Sequence, residues 1–370
     1  MVLQKEKINT TILVAPLDWG LGHATRCIPI IKYLMQKRCR VVIAATGLHK
    51  KLLQQEFEHL EFIHLDGYGI KYAKKNVLLR LAMQLPHFIK TIKKEKIWLQ
   101  KVVDEYNIDA VISDNRYGLN SSKISCIFIT HQLQVKVPHF FYWVESIIRK
   151  KLYSLINDFS ECWVPDAAIE IDSLAGTLSH PKVLPAIPVK YIGWLTRFDG
   201  ADTTEKKYTA TISLSGPEPQ RSLLETIIVP QLKQLSGNFL IIRGMPGETA
   251  LPSLPINITA VNHLPAADMQ MAFLQSNYII SRSGYSTLMD MKVLQCKCIY
   301  IPTPGQTEQE YLGKCLAAKK MAIVKQQSNF NLAAALQEAA TFPFNTDGIY
   351  KNQLLEGVID NWLSALQNRQ

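Results

Sequence analysis

No apolar run in this 370-residue sequence reaches the roughly 20 residues that a helix needs to cross a bilayer. The run inside MVLQKEKINTTILVAPLDWG is also too short for a secretory signal, so cytoplasmic residence is expected. The seven cysteines (27, 39, 126, 162, 296, 298 and 315) include no C-x-x-C pair and no clustered zinc spacing, and they read as reduced, mostly buried thiols. There is no D-x-D pair and no internal repeat at a solenoid period. No DNA- or RNA-binding module is recognised, so the net charge of +10 does not by itself point to nucleic acid. Hydrophobic residues make up 47% of the chain and charged residues 19%, a globular composition able to bury a large core.

The chain is too long for one ordinary core and fits two domains. Short branched-apolar runs alternate with helical patterns, the signature of parallel sheets built from βαβ units, and the alternation occurs twice. Strands are expected at 11–16, 40–45, 61–65, 110–113, 124–130 and 161–165, then at 208–214, 239–243, 256–261, 278–281, 298–301 and 321–324. The proline-rich and then polar stretch HPKVLPAIPVKYIGWLTRFDGADTTEKK disfavours helix and places a boundary near residue 190. Domains of 1–190 and 191–349 follow. A closing segment, 350–370, carries apolar residues at helical spacing and is expected to cross back to the first domain.

The first strand runs into LDWGLGHATR, which sets Gly20 and Gly22 in a turn before a helix expected from Ala24. Glycines there permit positive φ and close ligand approach, and free amides at a helix start favour an anion. Thr25 stands where the dinucleotide fingerprint needs its third glycine, which disfavours a nicotinamide enzyme. His23, at the loop-to-helix corner, is placed to take a proton from a hydroxyl, or else simply caps the helix. Asp114, closing the strand AVISD, is either a second candidate base or a turn-forming aspartate. Arg26 faces the cleft or solvent; its spacing does not decide.

In the second half, TISLSGPEPQR brings Ser215 and Gly216 to another strand-to-helix corner, open to an anion or an ordinary turn. YIISRSGYSTLMD ends a strand in small polar residues and puts Thr287 and Asp290 on the helix that follows, an arrangement able to wrap a diphosphate and grip ribose hydroxyls. IPTPGQTEQEYLGK then crowds Gln306, Thr307, Glu308, Gln309 and Glu310 at a loop and helix start, suited to sugar hydroxyls or to a solvated cap.

Together these segments resemble the MurG-type glycosyltransferases of family 28, most closely from Val261 to Gly313 and more weakly at LDWGLGHATR. The resemblance implies an α/β chain of the GT-B fold: two Rossmann-like, doubly wound domains facing across a cleft. It implies Leu264 near a nucleobase, and Ser283, Gly284 and Thr287 near phosphates, with Ser215 and Gly216 as a phosphate-side loop. It further implies Asp290 on the ribose, Gln309 and Glu310 on the donor sugar, and Arg197 against the diphosphate. Where the family has paired glutamines, Glu310 follows Gln309, which leaves the donor sugar open.

The implied reaction is inverting transfer of a hexose or N-acetylhexosamine from a nucleotide sugar, with UDP-sugars expected, without metal or other cofactor. A nucleotide-sugar hydrolase or 2-epimerase on the same scaffold is the alternative. The basic, aromatic-bearing stretches 71–101 and 137–153 are open to two readings. They lie against an anionic membrane face, with a lipid-linked or cell-envelope acceptor, or they pack on the core with solvated basic faces.

Overall fold

A computed structural model describes residues 10–69, 77–136, 142–200, 204–346 and 353–368, with only the backbone described for 77–84, 142–144 and 353. Much of the basic stretch, Lys71, Tyr72, Lys74 and Lys75 included, lies outside the described residues, as do the first residues of the closing segment.

Two parallel sheets carry the structure. The first contains β1 (Thr11–Pro16), β2 (Arg40–Ala44), β3 (Glu61–Ile63), β4 (Ala110–Asp114), β5 (Ser125–Ile129), β6 (Glu161–Val164) and β7 (Val189–Tyr191), in the order β3-β2-β1-β4-β5-β6-β7. The second contains β8 (Tyr208–Ser213), β9 (Phe239–Ile242), β10 (Ile258–Val261), β11 (Ser276–Ser281), β12 (Cys298–Tyr300) and β13 (Ala322–Val324), in the order β10-β9-β8-β11-β12-β13. Helices α1 (Gly22–Gln36), α2 (Gly47–Glu56), α3 (Val77–Tyr106) and α4 (Tyr142–Ile156) accompany the first sheet. With the second go α5 (Gln220–Leu232), α6 (Ala266–Leu274), α7 (Tyr285–Val293), α8 (Thr307–Ala318) and α9 (Leu332–Thr341), and α10 (Gln353–Gln367) closes the chain. Central strands such as TILVAP are buried along their whole length, because a parallel sheet covered on both faces has no solvent side to alternate toward.

The strands expected from the sequence form within a few residues of their expected bounds, and β7 is an addition. It pairs Val189 with Cys162 and Tyr191 with Val164 at the edge of the first sheet. Its proline-rich surroundings hid it, since an edge strand tolerates neighbouring prolines that a central strand does not. Residue 190 therefore falls inside the first sheet. Helix α1 opens at Gly22, two residues before the expected Ala24, which puts His23 in its first turn.

The strand order reverses between β1 and β4 in one sheet and between β8 and β11 in the other, and such switch points open a crevice at the carboxyl ends of the strands. The two crevices face each other. Ser286 donates to the carbonyl of Gly22 at 2.9 Å, and a Cβ on Gly22 would lie 2.8 Å from that hydroxyl. Gly22 thus serves close approach of the two domains. Gly20, at φ +80°, does need the left-handed region that glycine favours.

Helix α10 packs on the first domain. Lys37 pairs with Asp360 at 2.7 Å, Trp362 donates to Ser125 at 3.0 Å, and the Trp362 and Trp163 rings meet edge-on with centroids 5.4 Å apart. Helix α3 turns Ile92, Leu99 and Val102 inward and leaves Lys90, Lys93 and Lys94 exposed, as a core-facing helix with a basic outer face does. Exposed Leu85, Ile89 and Ile97 share that outer region. No helix among the described residues is long and apolar enough to cross a membrane. All seven cysteines are free thiols, four of them buried.

Trp362 is 3% exposed and ties the last helix to the first sheet. Trp362→Ala is expected to lower the unfolding free energy by about 3–5 kcal/mol, the usual cost of emptying a buried tryptophan site. Denaturant unfolding monitored by far-UV circular dichroism checks this, and a loss below 1 kcal/mol would mean that α10 only rests on the surface.

Candidate active site

Pro16 and Asp114 are partners in the β1–β4 register, so the turn after β1 and the end of β4 arrive at the same spot. There Asp114 is fully buried beneath α1. Arg26 Nε donates to Asp114 Oδ2 at 2.7 Å, and Arg26 Nη2 donates to Oδ1, closing a two-pronged ion pair. His23 Nδ1 lies 3.2 Å from Oδ1 and 3.0 Å from Arg26 Nη2. Two tautomers satisfy this geometry: one in which Nδ1 accepts from Arg26, and one in which Nδ1–H donates to Asp114 and leaves a lone pair on Nε2.

Burial pushes the Asp114 carboxyl up, but the Arg26 cation and His23 outweigh it and hold the group well below the usual carboxylate range. Burial also lowers His23 below the ordinary imidazole value, against the opposing pull of Asp114. An imidazole held neutral near pH 7 is ready to accept a proton. Asp114 has no exposure and both its oxygens are engaged, so it positions its neighbours and cannot itself reach an acceptor. That corrects its reading as a second candidate base.

The cluster continues across the cleft. Arg26 Nη1 lies 3.2 Å from His131 Nδ1, and His131 Nε2 lies 2.8 Å from Glu308 Oε1 at the start of α8. The His131 ring stacks on Tyr285 of α7 with centroids 4.0 Å apart, and Thr307 donates to the Lys136 carbonyl at 3.0 Å. His131 went unnoticed in the sequence, although it stands just beyond the end of β5, a strand-end position like that of His23. Arg26, undecided from spacing, faces inward and is 2% exposed.

Opposite this cluster, β8 leads into Ser215 and Gly216, with Gly216 at φ +101°. Strand β11 leads through Ser283 to Gly284 at the N-cap of α7, where no side chain caps the helix, and uncapped first-turn amides carry the positive end of a helix dipole. Ser283 donates to the Gln309 carbonyl at 2.9 Å, and Gln309 Oε1 accepts from the Thr303 amide at 2.9 Å, so the two predicted segments meet. Glu310 Oε1 accepts from the Gly305 amide at 3.1 Å and holds the same loop. Thr287 is half-buried in the first turn of α7, and Leu264 packs partly buried against the main core.

Asp290, one turn further along α7, accepts from the Thr196 hydroxyl at 2.7 Å. Arg197, next in the chain, lays its guanidinium 5.2 Å from the Phe198 ring centroid, and its buried Nε has no hydrogen-bond partner. Thr196 was not foreseen, since a threonine in an irregular stretch gives no periodic signal. Burial raises the Asp290 carboxyl to about 6, with Arg197 and the Thr196 hydroxyl pulling the other way.

Because that folded value exceeds the unfolded one, protonated Asp290 favours the folded state at low pH, and the advantage fades as pH rises from about 4 through 6. Asp290→Asn, fixed neutral, is therefore expected to gain stability relative to the parent as pH rises over that window. Thermal melts of both proteins without ligand check it, and a difference in Tm that stays flat from about pH 4 to pH 7 would contradict the raised value.

Comparison with known proteins agrees with this arrangement. Residues 230–347 match the glycosyltransferase family 28 C-terminal domain. The chain is 25% identical over 309 residues to UDP-N-acetylglucosamine--N-acetylmuramyl-(pentapeptide) pyrophosphoryl-undecaprenol N-acetylglucosamine transferase from Bacillus pumilus, covering 80% of this chain and 79% of the relative. Among solved structures, Acinetobacter baumannii MurG superposes with a TM-score of 0.52 at 17% identity, covering 95% of this chain and 93% of that one. The calicheamicin glycosyltransferase CalG4 superposes with a TM-score of 0.64 at 11% identity, covering 98% of this chain and 99% of that one. With two facing doubly wound domains of the GT-B fold, a family 28 C-terminal domain over residues 230–347 and these similarities along most of its length, the chain is a glycosyltransferase that resembles the MurG-type enzymes.

Proposed function

We propose that this enzyme transfers a hexose or N-acetylhexosamine from a UDP-sugar to an acceptor hydroxyl with inversion and without a metal, using His23 as the base. The observation that carries this reading is the His23–Asp114–Arg26 cluster at one switch point, facing the uncapped α7 N-terminus at the other. In the tautomer whose Nδ1–H donates to Asp114, Nε2 takes the acceptor proton while the acceptor oxygen bonds the anomeric carbon. The bond from that carbon to the diphosphate breaks on the opposite face, and the electron pair leaves with the nucleoside diphosphate. One base suffices, because inversion needs no covalent sugar intermediate.

Charge gathers on the departing diphosphate. The α7 amides behind Ser283 and Gly284, the loop at Ser215 and Gly216, and Arg197 with its unpartnered Nε are the groups that answer it. Asp290 binds the ribose, Leu264 borders the base, and Gln309 and Glu310 read the sugar hydroxyls. The donor named for the Bacillus pumilus relative supports a UDP-sugar here. A lipid-linked or cell-envelope acceptor fits the exposed Leu85, Ile89 and Ile97 beside basic α3, which would place the enzyme against the cytoplasmic face of an anionic membrane.

In a thermal-shift panel of UDP-, GDP- and dTDP-sugars, the UDP-sugars are expected to raise Tm most, because a ligand bound only by the folded state stabilises it by mass action. The shift should persist in EDTA. A larger shift with GDP- or dTDP-sugars would overturn the donor assignment, and release of free sugar as the enzyme's main reaction would replace transfer by hydrolysis.

His23→Ala is expected to slow turnover of the best donor by about a hundredfold to ten-thousandfold, with the UDP affinity nearly unchanged. Steady-state rates and calorimetric UDP binding on the folded variant check both halves. Turnover at the parent rate would make His23 structural.

A further inference from the structure

Resting on His23 as the base, we propose that Glu308, carried by the opposite domain, is a positioning residue that completes the base across the cleft through His131 and Arg26. Arginine only donates hydrogen bonds, so His131 Nδ1, 3.2 Å from Arg26 Nη1, is the accepting nitrogen. The ring proton of His131 then sits on Nε2 and donates to Glu308 Oε1 at 2.8 Å. Glu308 thereby sets the tautomer of His131, and that tautomer holds the Arg26 fork in place on Asp114. Anchored by Asp114 at Nε and Nη2 and by His131 at Nη1, the guanidinium keeps a fixed place beside His23 Nδ1, 3.0 Å from Nη2, with its Nη2–H directed at Asp114 Oδ1, so that His23 Nδ1 is left to donate to the same carboxylate.

The charges point the same way. The groups around His23 are Asp114 from β4, Arg26 from α1 and His131 beyond β5, with the Cys27 thiol on Asp114, Tyr285 stacked on His131 and Glu308 bonded to His131. With His23 neutral, Asp114 and Glu308 supply two negative charges against the positive charge of Arg26. This excess is neutralised when His23 takes up the acceptor proton. Burial disfavours the Glu308 carboxylate, but its hydrogen bond from His131 and the nearby His23 and Arg26 keep it ionised. Its side chain is 34% exposed, so it stands at the cleft wall and is not sealed in the core. Because Glu308, Thr307 and Ser286 belong to one domain, and His131, Lys136 and Gly22 to the other, the full charge set exists only in the closed arrangement described here.

The test is a titration of the His23 imidazole by NMR in the full chain carrying 13C,15N-histidine, with UDP present, comparing the parent, Glu308→Gln and Glu308→Asp. The His23 and His131 signals are identified by their loss in His23→Ala and His131→Ala. Glu308→Gln removes an anion near His23 and is expected to lower the His23 pKa by about half a unit to one unit, with a shift of its neutral form away from the Nδ1–H tautomer. Glu308→Asp keeps the charge and should recover most of both effects. An unchanged His23 pKa and tautomer in folded Glu308→Gln would overturn the proposal, and so would a loss confined to donor-sugar affinity, which would make Glu308 a sugar ligand. Should Glu308→Gln fail to fold, an aspartate variant titrating below the parent but with the same tautomer supports the proposal, and one indistinguishable from His131→Ala in its His23 signal overturns it. The base assignment fails separately, if His23→Ala turns over at the parent rate.

Discussion

The buried pair between Arg26 and Asp114 is the constraint on which the site depends. Two charges withdrawn from water are costly, and such a pair survives only where its remaining hydrogen-bonding capacity is met. Here Arg26 also reaches His131 and lies beside His23, so satisfying the ion pair also orders two imidazoles. Removing either partner would strand the other charge under α1, typically at a cost of about 3–5 kcal/mol. The same interaction therefore serves the packing of α1 on the first sheet and the electrostatics of His23.

The pair can exist because of topology. Parallel pairing of β1 with β4 puts the end of one strand beside the turn leaving the other, although Arg26 and Asp114 are 88 residues apart. The second domain repeats the device with β8 and β11, and there the crevice presents backbone amides and small side chains where the first presents titratable groups. The proposed base on one side and anion cradle on the other draw on this division.

Besides the buried apolar cluster that runs through both domains, small contacts hold the two crevices in register. A Cβ on Gly22 would crowd the Ser286 side chain, Tyr285 donates to the Pro165 carbonyl at 2.7 Å, and the Leu195 amide lies 3.3 Å from the Met289 sulfur. Helix α10 adds a strap from the end of the chain back to the first sheet. The domain junction is consequently part of the site, since α7 both borders the anion cradle and stacks Tyr285 on His131.

Sequence alone determined the class of fold and most strand positions, because parallel strands buried on both faces read as continuous apolar runs wherever they sit. It also determined the two glycine corners and the RSG segment, whose signals are local: small residues between a strand and a helix. It did not show β7, a short edge strand without a strong apolar pattern, nor the role of Gly22, which is set by a serine 264 residues away. Asp114, the second candidate base in the sequence, proves to be an enclosed carboxylate, which only its burial in the fold reveals. Arg26, His131 and Glu308 are unremarkable in their own segments, and only the tertiary structure joins them, because an ion pair and a hydrogen-bond relay depend on distances between strand ends that no spacing along the chain records.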